Sequence, residues 1–398
     1  MSSTISAATF KLNEQAALSP AQQSLEQQLL TFIRSHRHQD QSSLFVIHGD
    51  AGTGKSAVLA AAFGRLQALS RSTTANDLQA TENYLVVNHN EMLKIYKRLA
   101  GDDPDLRKKD FQKATPLINR LTKTHQRADV IFIDEAHLLL TQPDRYNRFD
   151  GHNQLTELIQ HAHVVVLVFD TRQVLKLKSY WHTNDLEPFL AHYPHASYNL
   201  DEQFRVTGGP AVVNWIDHFT HGQLLEKPAT PDFDLRFFDD GQPMYDLIRQ
   251  QDHRFGLARM VATADFPYVV NHGTWYVTAG QLKLPWDKVN LTDDPWALRP
   301  ETLNEVGSIY TIQGFDLNYA GVILGPSVGY DAVHDRIIVR PERYEDQEAF
   351  KQRADLGDLE PLKQQIIFNS INVLMKRGRY GLYIYAVDPA LRERLLAL

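Results

Sequence analysis

Residues 44–59, LFVIHGDAGTGKSAVL, constrain the fold most strongly because they contain the pattern G-x-x-x-x-G-K-S at positions 49–56. An apolar run precedes this pattern, and a run with apolar side chains at helical spacing follows it. A strand, a glycine-rich loop and a helix in this order are typical of loops that bind nucleotide phosphates. Lys55 would contact the β and γ phosphates, and Ser56 would bind Mg²⁺. A chance glycine loop is the alternative, and the match at every fixed position disfavours it. The residues assigned to phosphate binding are Gly49, Asp50, Ala51, Gly52, Thr53, Gly54, Lys55 and Ser56.

The size and composition of the chain indicate a globular protein with two domains of ordinary size or one unusually large domain. Its 398 residues exceed the length at which one hydrophobic core usually stops growing. With 43% hydrophobic and 22% charged residues, the chain can bury extensive cores. The absence of cysteine excludes disulfides, thiolate zinc sites, iron–sulfur clusters and cysteine nucleophiles. The 17 histidines are scattered without supporting ligand pairs, so we predict no zinc site.

Charge and hydropathy indicate a cytoplasmic protein. The net charge of −7 argues against a surface that is basic all over, although it is compatible with a local basic groove. The densest basic run, residues 94–113, interleaves acids with its bases and is typical of a solvated helical face. The N-terminus shows no basic region followed by an apolar core, and the longest apolar runs are strand-sized. We therefore predict a flexible segment at residues 1–17 and no membrane segment.

Further strand candidates at residues 84–88, 130–133 and 164–169 alternate with helical segments. This alternation predicts a parallel sheet covered on both faces, with ligands beyond the carboxyl ends of its strands. Asp134 and Glu135 follow the second of these strands. We expect Asp134 to hold the metal through water and Glu135 to orient and deprotonate the attacking water, the alternative being a helix cap. Gln173, beyond the third strand, would contact the γ-phosphate, unless this segment is an ordinary polar loop.

The second half contains more than a nucleotide kinase or a switch GTPase would need. Strand-like segments lie within residues 257–264, 309–324 and 372–388, and each is coupled to an arginine or to a Gln-Gly turn. This pattern predicts a second α/β domain. A metabolic kinase using the same phosphate loop would leave Gln313, Gly314 and Arg377 unexplained.

Six segments together resemble motifs I to VI of superfamily 1 helicases. They are GDAGTGKS, IFIDEAH, VFDTRQ, LDEQFR, VGSIYTIQGFDLNYAGVILG and NVLMKRGRYGLYIYAVD, in this order. More narrowly, the chain is similar to the Schlafen group-three-like DNA/RNA helicase domain family from about residue 18 to residue 390. The resemblance implies an α/β protein with two RecA-like P-loop domains, at residues 18–200 and 201–398. It also implies mostly parallel sheets and an ATP cleft between the domains.

The resemblance implies further site residues. Gln22, in LSPAQQ, would read the adenine base, although the same letters also begin helices. Arg205 and Arg377 would be two arginines presented to the γ-phosphate, where they stabilise developing charge. The alternative for an isolated arginine is a surface ion pair. Gln313 and Gly314 would link the nucleotide to nucleic acid, and Asp316 would reach the ribose. Two positions depart from the family pattern, Leu138 and Lys376.

Four aromatic residues between the catalytic segments form a candidate surface for stacking bases of a single strand: Trp275, Tyr276, Trp286 and Trp296. Core packing is the more common role of tryptophan and remains the alternative.

These observations predict an ATPase that hydrolyses ATP to ADP and phosphate with Mg²⁺. The primary hypothesis is a superfamily 1-like helicase or translocase acting on single-stranded DNA or RNA. The alternative is a P-loop ATPase that acts as a nucleotide-dependent switch on a protein partner, in a regulatory or defence complex, without strand separation. The acidic charge balance and the lack of large insertions fit this alternative.

Overall fold

The computed structural model describes residues 18–49, 52–145, 147–170, 173–181, 186–200, 206–269, 273–351 and 356–398. The chain divides into two units. Unit 1 comprises Met1–Val174 and Lys178–Glu202, and unit 2 comprises Leu175–Leu177 and Gln203–Leu398. Each unit carries a mostly parallel sheet together with helices, which confirms the predicted α/β class.

Unit 1 is built on a six-stranded sheet in the order β3-β2-β4-β5-β1-β6, in which every neighbouring pair is parallel. Its strands are β1 (Ser43–Gly49), β2 (Asn83–Val87), β3 (Phe111–Gln112), β4 (Ala128–Asp134), β5 (Ala162–Phe169) and β6 (His195–Leu200). Its helices are α1 (Pro20–His36), α2 (Lys55–Arg71), α3 (Asn90–Asp102), α4 (Ala114–Thr124), α5 (Gln154–Gln160) and α6 (Leu186–Leu190). The strands predicted near residues 84, 130 and 164 are β2, β4 and β5.

The central strands of unit 1 are nearly continuous apolar runs because side chains on both of their faces are buried. Leu44 and Phe45 point to opposite faces of β1, yet they are only 0% and 3% exposed. β1 lies between β5 and β6. The strands β2 to β5 lie on one side of β1 and β6 lies on the other, so the strand order reverses at β1. Ligands bind beyond the carboxyl ends of parallel strands at such a reversal of strand order. This edge of the sheet is therefore the expected location of the site.

Unit 2 is built on a seven-stranded sheet in the order β7-β15-β12-β8-β11-β10-β9, parallel except for the β9–β10 pair. Its strands are β7 (Asp234–Phe238), β8 (Ala258–Ala262), β9 (Trp275–Ala279), β10 (Leu282–Trp286), β11 (Val306–Gly307), β12 (Leu317–Leu324) and β15 (Gly378–Ala386). A separate antiparallel pair is formed by β13 (Val328–Asp331) and β14 (Arg336–Val339). The helices are α7 (Gly209–Phe219), α8 (Gly241–Phe255), α9 (Ile309–Ile312), α10 (Glu360–Met375) and α11 (Pro389–Leu396).

The prediction of a stacking surface is wrong for two of the four aromatic residues. Trp286 and Trp296 are 2% and 1% exposed and belong to the core, so core packing explains them. Trp275 is half-buried, and its indole N–H donates to the Val269 carbonyl at 3.1 Å. Tyr276 is 44% exposed, and the Lys283 ammonium lies 4.9 Å from the centre of its ring. Of the four, Tyr276 is the most exposed.

Across the described ranges, no helix has both the length and the apolar character needed to cross a membrane.

Asp265, which follows β8, gives a pH-dependent stability prediction. Its side chain is 4% exposed and accepts from the Thr263 hydroxyl at 2.6 Å, and burial raises its pKa to about 6. The unfolded chain titrates this group near pH 3.9, so the folded state binds more protons between about pH 4 and 6. Ionisation of Asp265 therefore lowers stability as pH rises through this window. We expect Asp265→Asn to be more stable than the wild type by on the order of 1–3 kcal/mol above pH 6.

Thermal unfolding of Asp265→Asn and wild-type protein between pH 4 and 8 checks this expectation. The advantage of the variant is expected to be absent near pH 4 and to reach its full size above pH 6. A difference in Tm that does not depend on pH would contradict the assigned cause.

Candidate functional site

The phosphate loop joins β1 to α2 at the carboxyl edge of the first sheet. Gly52 and Gly54 adopt φ values of 92° and 80°, a region that favours glycine. Gly54 is the N-cap of α2 and has no side chain to accept from the first N–H groups of the helix. Those groups and the helix dipole suit an anion. A Cβ atom at Gly49 would lie 2.8 Å from the Thr53 hydroxyl oxygen, so the loop packs too closely for a side chain there.

Asp50 and Ala51, also assigned to phosphate binding, lie outside the described residues.

Lys55 is held at the base of this loop. Its ammonium donates to the Gly49 carbonyl at 2.6 Å and lies 3.6 Å from Asp170 Oδ2. The same Asp170 oxygen accepts from Gln173 Nε2 at 2.8 Å. Lys55, Asp170 and Gln173 are 6%, 6% and 3% exposed. The structure thus links the predicted phosphate lysine to the predicted γ-phosphate glutamine through Asp170.

Ser56 and Asp134 also lie together. The Ser56 hydroxyl donates to Asp134 Oδ1 at 3.2 Å, and the Glu135 backbone N–H donates to the same oxygen at 3.0 Å. The Tyr96 hydroxyl donates to Asp134 Oδ2 at 2.6 Å. Burial and the neighbouring Glu135 carboxylate raise the pKa of Asp134, and the donors Tyr96 and Ser56 oppose this rise.

A hydroxyl and a carboxylate at this distance form a set of hard oxygen donors that fits Mg²⁺. Ser56 and Asp134 are therefore the residues that would hold the ion.

Glu135 occupies a strained position directly after β4. Its φ of 53° lies in the left-handed region, which a non-glycine residue adopts at an energetic cost. Its carboxylate Oε2 lies 3.0 Å from Nε2 of His137, which is fully buried and packs edge-on against Phe169. The Glu135 carboxylate therefore lies beside a buried histidine, directly after Asp134 at the end of β4.

The Gln22 side chain takes part in the start of α1. Its Oε1 accepts from the Ser19 backbone N–H at 3.0 Å, and the Ser19 hydroxyl oxygen accepts from the Gln22 N–H at 3.3 Å. This reciprocal pair is a capping box, which supports the helix-start alternative for the amide oxygen. Recognition of adenine by Gln22 stays a prediction.

In unit 2 the structure brings Arg377 together with the turn that precedes β12. Arg377 is 1% exposed, and its guanidinium donates to the carbonyls of Val373 at 2.8 Å and Phe315 at 3.5 Å. Gln313 is the C-cap of α9, and Gly314 has a φ of 76°. Arg377 is therefore buried and bonded to this turn, and its side chain does not lie on the surface.

Among the described residues, the Gln313 side-chain N–H₂ group is buried without a hydrogen-bond partner. Asp316 is half-buried directly before β12. Arg205 lies outside the described residues. Lys376, which replaces the usual family residue, pairs with Asp217 at 2.6 Å.

Sequence reasoning missed three residues of this site: Tyr96, His137 and Asp170. Asp170 follows an apolar strand just as Asp134 does, so the same rule would have found it. His137 stood inside a recognised motif without an assigned role. Tyr96 lies on α3 at a spacing that fits core packing, and nothing in the sequence distinguishes it.

The profile of the family described as Schlafen group 3, DNA/RNA helicase domain, matches residues 42–388. The chain belongs to this family. This result confirms the family that its motifs resembled, and it makes the chain a helicase-like P-loop NTPase. The chain is also 43% identical over 410 residues to Uncharacterized protein YPL245W of Saccharomyces cerevisiae, covering 95% of this chain and 90% of that protein.

Solved helicase structures share a weaker likeness with this Schlafen group 3 domain. Pif1 helicase from Candida albicans aligns with a TM-score of 0.38 and 12% identity, over 95% of this chain and 96% of that chain. Arterivirus nonstructural protein 10 (helicase) aligns with a TM-score of 0.36 and 13% identity, over 89% of this chain. This chain spans 61% of the arterivirus protein. The family assignment rests on the profile match over residues 42–388.

Proposed function

We propose that this Schlafen group 3 helicase domain binds Mg²⁺·ATP at the carboxyl edge of the first sheet and hydrolyses it to ADP and phosphate. Hydrolysis would drive movement along single-stranded DNA or RNA. One observation carries the proposal: a lysine, a hydroxyl, two adjacent acids and a glutamine from three separate strand ends meet at one edge of unit 1. These residues are Lys55, Ser56, Asp134, Glu135 and Gln173.

The proposed roles follow from the chemistry of each side chain. Lys55 contacts the β and γ phosphates, and Ser56 and Asp134 hold Mg²⁺. The ion, when bound, would neutralise phosphate charge. Glu135 accepts a proton from the attacking water, and the backbone at Glu135 directs its carboxylate.

Nucleotide binding is coupled to Gln173 through Asp170 in this proposal. The phosphates would replace the Gly49 carbonyl and the Asp170 carboxylate as partners of the Lys55 ammonium. Asp170 Oδ2 lies 3.6 Å from that ammonium and also accepts from Gln173. If the lysine moves away, the Asp170 carboxylate that Gln173 contacts loses a neighbouring positive charge. Gln173 would thereby respond to the presence or absence of the γ-phosphate.

Unit 2 is proposed to contribute the remaining functional residues. Arg205 and Arg377 would stabilise charge on the γ-phosphate, while Gln313 and Gly314 would transmit the nucleotide state to nucleic acid and Asp316 would bind the ribose. The contact of Arg377 with the Phe315 carbonyl supports a joint role, because a movement of this arginine would shift the turn that contains Gln313.

A nucleotide-dependent switch acting on a protein partner is the second candidate. The burial of Trp286 and Trp296 favours it, because these residues cannot stack on bases.

Salt-dependent binding of single-stranded DNA and RNA, measured with ADP and with a non-hydrolysable ATP analogue, separates the two candidates. The translocase proposal predicts an affinity that changes with nucleotide state and falls with salt, as phosphate contacts require. If neither DNA nor RNA binds and the oligomeric size changes with nucleotide, the switch replaces the translocase as the function.

A further inference from the structure

Tyr96 contacts the proposed metal site from a helix that carries no recognised motif. It lies on α3, is fully buried, and stacks on Phe111 with ring centres 5.5 Å apart. Its hydroxyl donates to Asp134 Oδ2 at 2.6 Å. The stacked ring limits the movement of the hydroxyl, so this donor has a fixed position.

The two oxygens of Asp134 have different partners. Oδ1 accepts from the Ser56 hydroxyl and from the Glu135 N–H, while Oδ2 accepts from Tyr96. A carboxylate bonded at both oxygens cannot rotate about its Cβ–Cγ bond without losing a donor. With Oδ2 occupied by Tyr96, Oδ1 is the oxygen directed toward Ser56.

We propose that Tyr96 is a positioning residue for the metal site, which holds Asp134 so that Oδ1 and the Ser56 oxygen face the same ion. The inference rests on the proposed nucleotide site and adds a residue to it. Tyr96 acts through Asp134, because its hydroxyl occupies the opposite carboxylate oxygen. Partners of this kind orient metal-binding carboxylates, and their loss typically weakens metal binding.

A purely structural role for the Tyr96 hydroxyl is the competing explanation, and the same unit offers a matched control. Tyr84 on β2 is 6% exposed, and its hydroxyl donates to the Glu82 carboxylate. Tyr84→Phe and Tyr96→Phe each delete one hydroxyl that donates to an acid. A structural role predicts similar losses of stability and no difference in metal binding.

The test titrates Mn²⁺, a paramagnetic substitute for Mg²⁺, into the full chain saturated with ADP, with free Mn²⁺ followed by electron paramagnetic resonance. Tyr96→Phe is expected to weaken Mn²⁺ binding about 10- to 100-fold. Its ADP affinity in EDTA is expected to equal that of the wild type, and Tyr84→Phe is expected to change neither quantity. Equal Mn²⁺ affinity in the wild type and Tyr96→Phe would overturn the proposal.

A double-mutant cycle provides a second measurement. If Tyr96 acts through Asp134, Tyr96→Phe has no further effect on Mn²⁺ binding in an Asp134→Ala background. Fully additive losses would overturn the positioning role. Wild-type protein that binds no ADP would overturn both this inference and the proposed function, whereas normal ADP binding with an unaffected Tyr96→Phe variant would overturn the inference alone.

Discussion

Glu135→Gln is expected to reduce ATP turnover about 10²- to 10⁴-fold, the range typical of a lost general base. Glutamine keeps the size of the side chain but cannot accept the proton of the attacking water. Lys55, Ser56 and Asp134 are unchanged in the variant, so ATP affinity is expected to stay at the wild-type value. Single-turnover hydrolysis and equilibrium binding of ATP measure the two quantities separately.

Glu82→Gln is the control for this substitution. Glu82 precedes β2 at the amino edge of the sheet and accepts from Tyr84, away from the loop. Its replacement is expected to leave turnover unchanged. Wild-type turnover in Glu135→Gln would exclude Glu135 as the base, and a parallel loss of ATP binding would show that the substitution disturbs the loop instead.

Lys55→Ala is expected to remove most of the nucleotide affinity. Lys55 is 6% exposed, so a phosphate that replaces the present partners of its ammonium would be paired with little competition from water. Truncating one partner of such a buried charge pair costs about 2–5 kcal/mol, which corresponds to roughly a 30- to several-thousand-fold loss of affinity. Titration of ADP in EDTA measures this loss without a contribution from metal.

Lys123→Ala provides the matched control, because Lys123 is an exposed lysine in the last turn of α4. It is expected to bind ADP as the wild type does. Undiminished ADP affinity in Lys55→Ala would show that the loop at residues 49–56 is not the phosphate site.

The strand ends of unit 1 were predictable because burial imposes a recognisable pattern. β1, β4 and β5 must be apolar on both faces, so the polar residues at or shortly beyond their carboxyl ends stand out in the sequence. This rule located Asp134 and Gln173, and applied consistently it would also have located Asp170. Positions relative to a parallel sheet can therefore be predicted from the sequence.

Contacts made by a helix face could not be predicted in the same way. Tyr96 has the spacing of a core residue, and its hydrogen bond to Asp134 depends on how α3 packs beside β4. The tryptophans show the same limit, since Trp275 and Trp286 pair with each other across two strands but differ in burial. Which aromatic residue stays exposed depends on the pairing of β9 with β10 and on the core beneath them.

The burial and the partners of an arginine side chain likewise depend on packing. Arg377 was expected from the family resemblance to face the γ-phosphate, with a surface ion pair as the alternative. The structure shows a guanidinium buried against main-chain carbonyls of its own unit, including that of Phe315. Only three-dimensional packing reveals that this arginine and the Gln313 turn are in contact.

ATPase activity measured with single- and double-stranded DNA and RNA, at several salt concentrations, is the decisive test of a translocating ATPase. We predict Mg²⁺-dependent hydrolysis that single-stranded DNA or RNA stimulates and that Glu135→Gln reduces about 10²- to 10⁴-fold. Hydrolysis that no nucleic acid stimulates at any salt concentration would contradict translocation, and the absence of hydrolysis under all conditions would contradict the proposed enzyme.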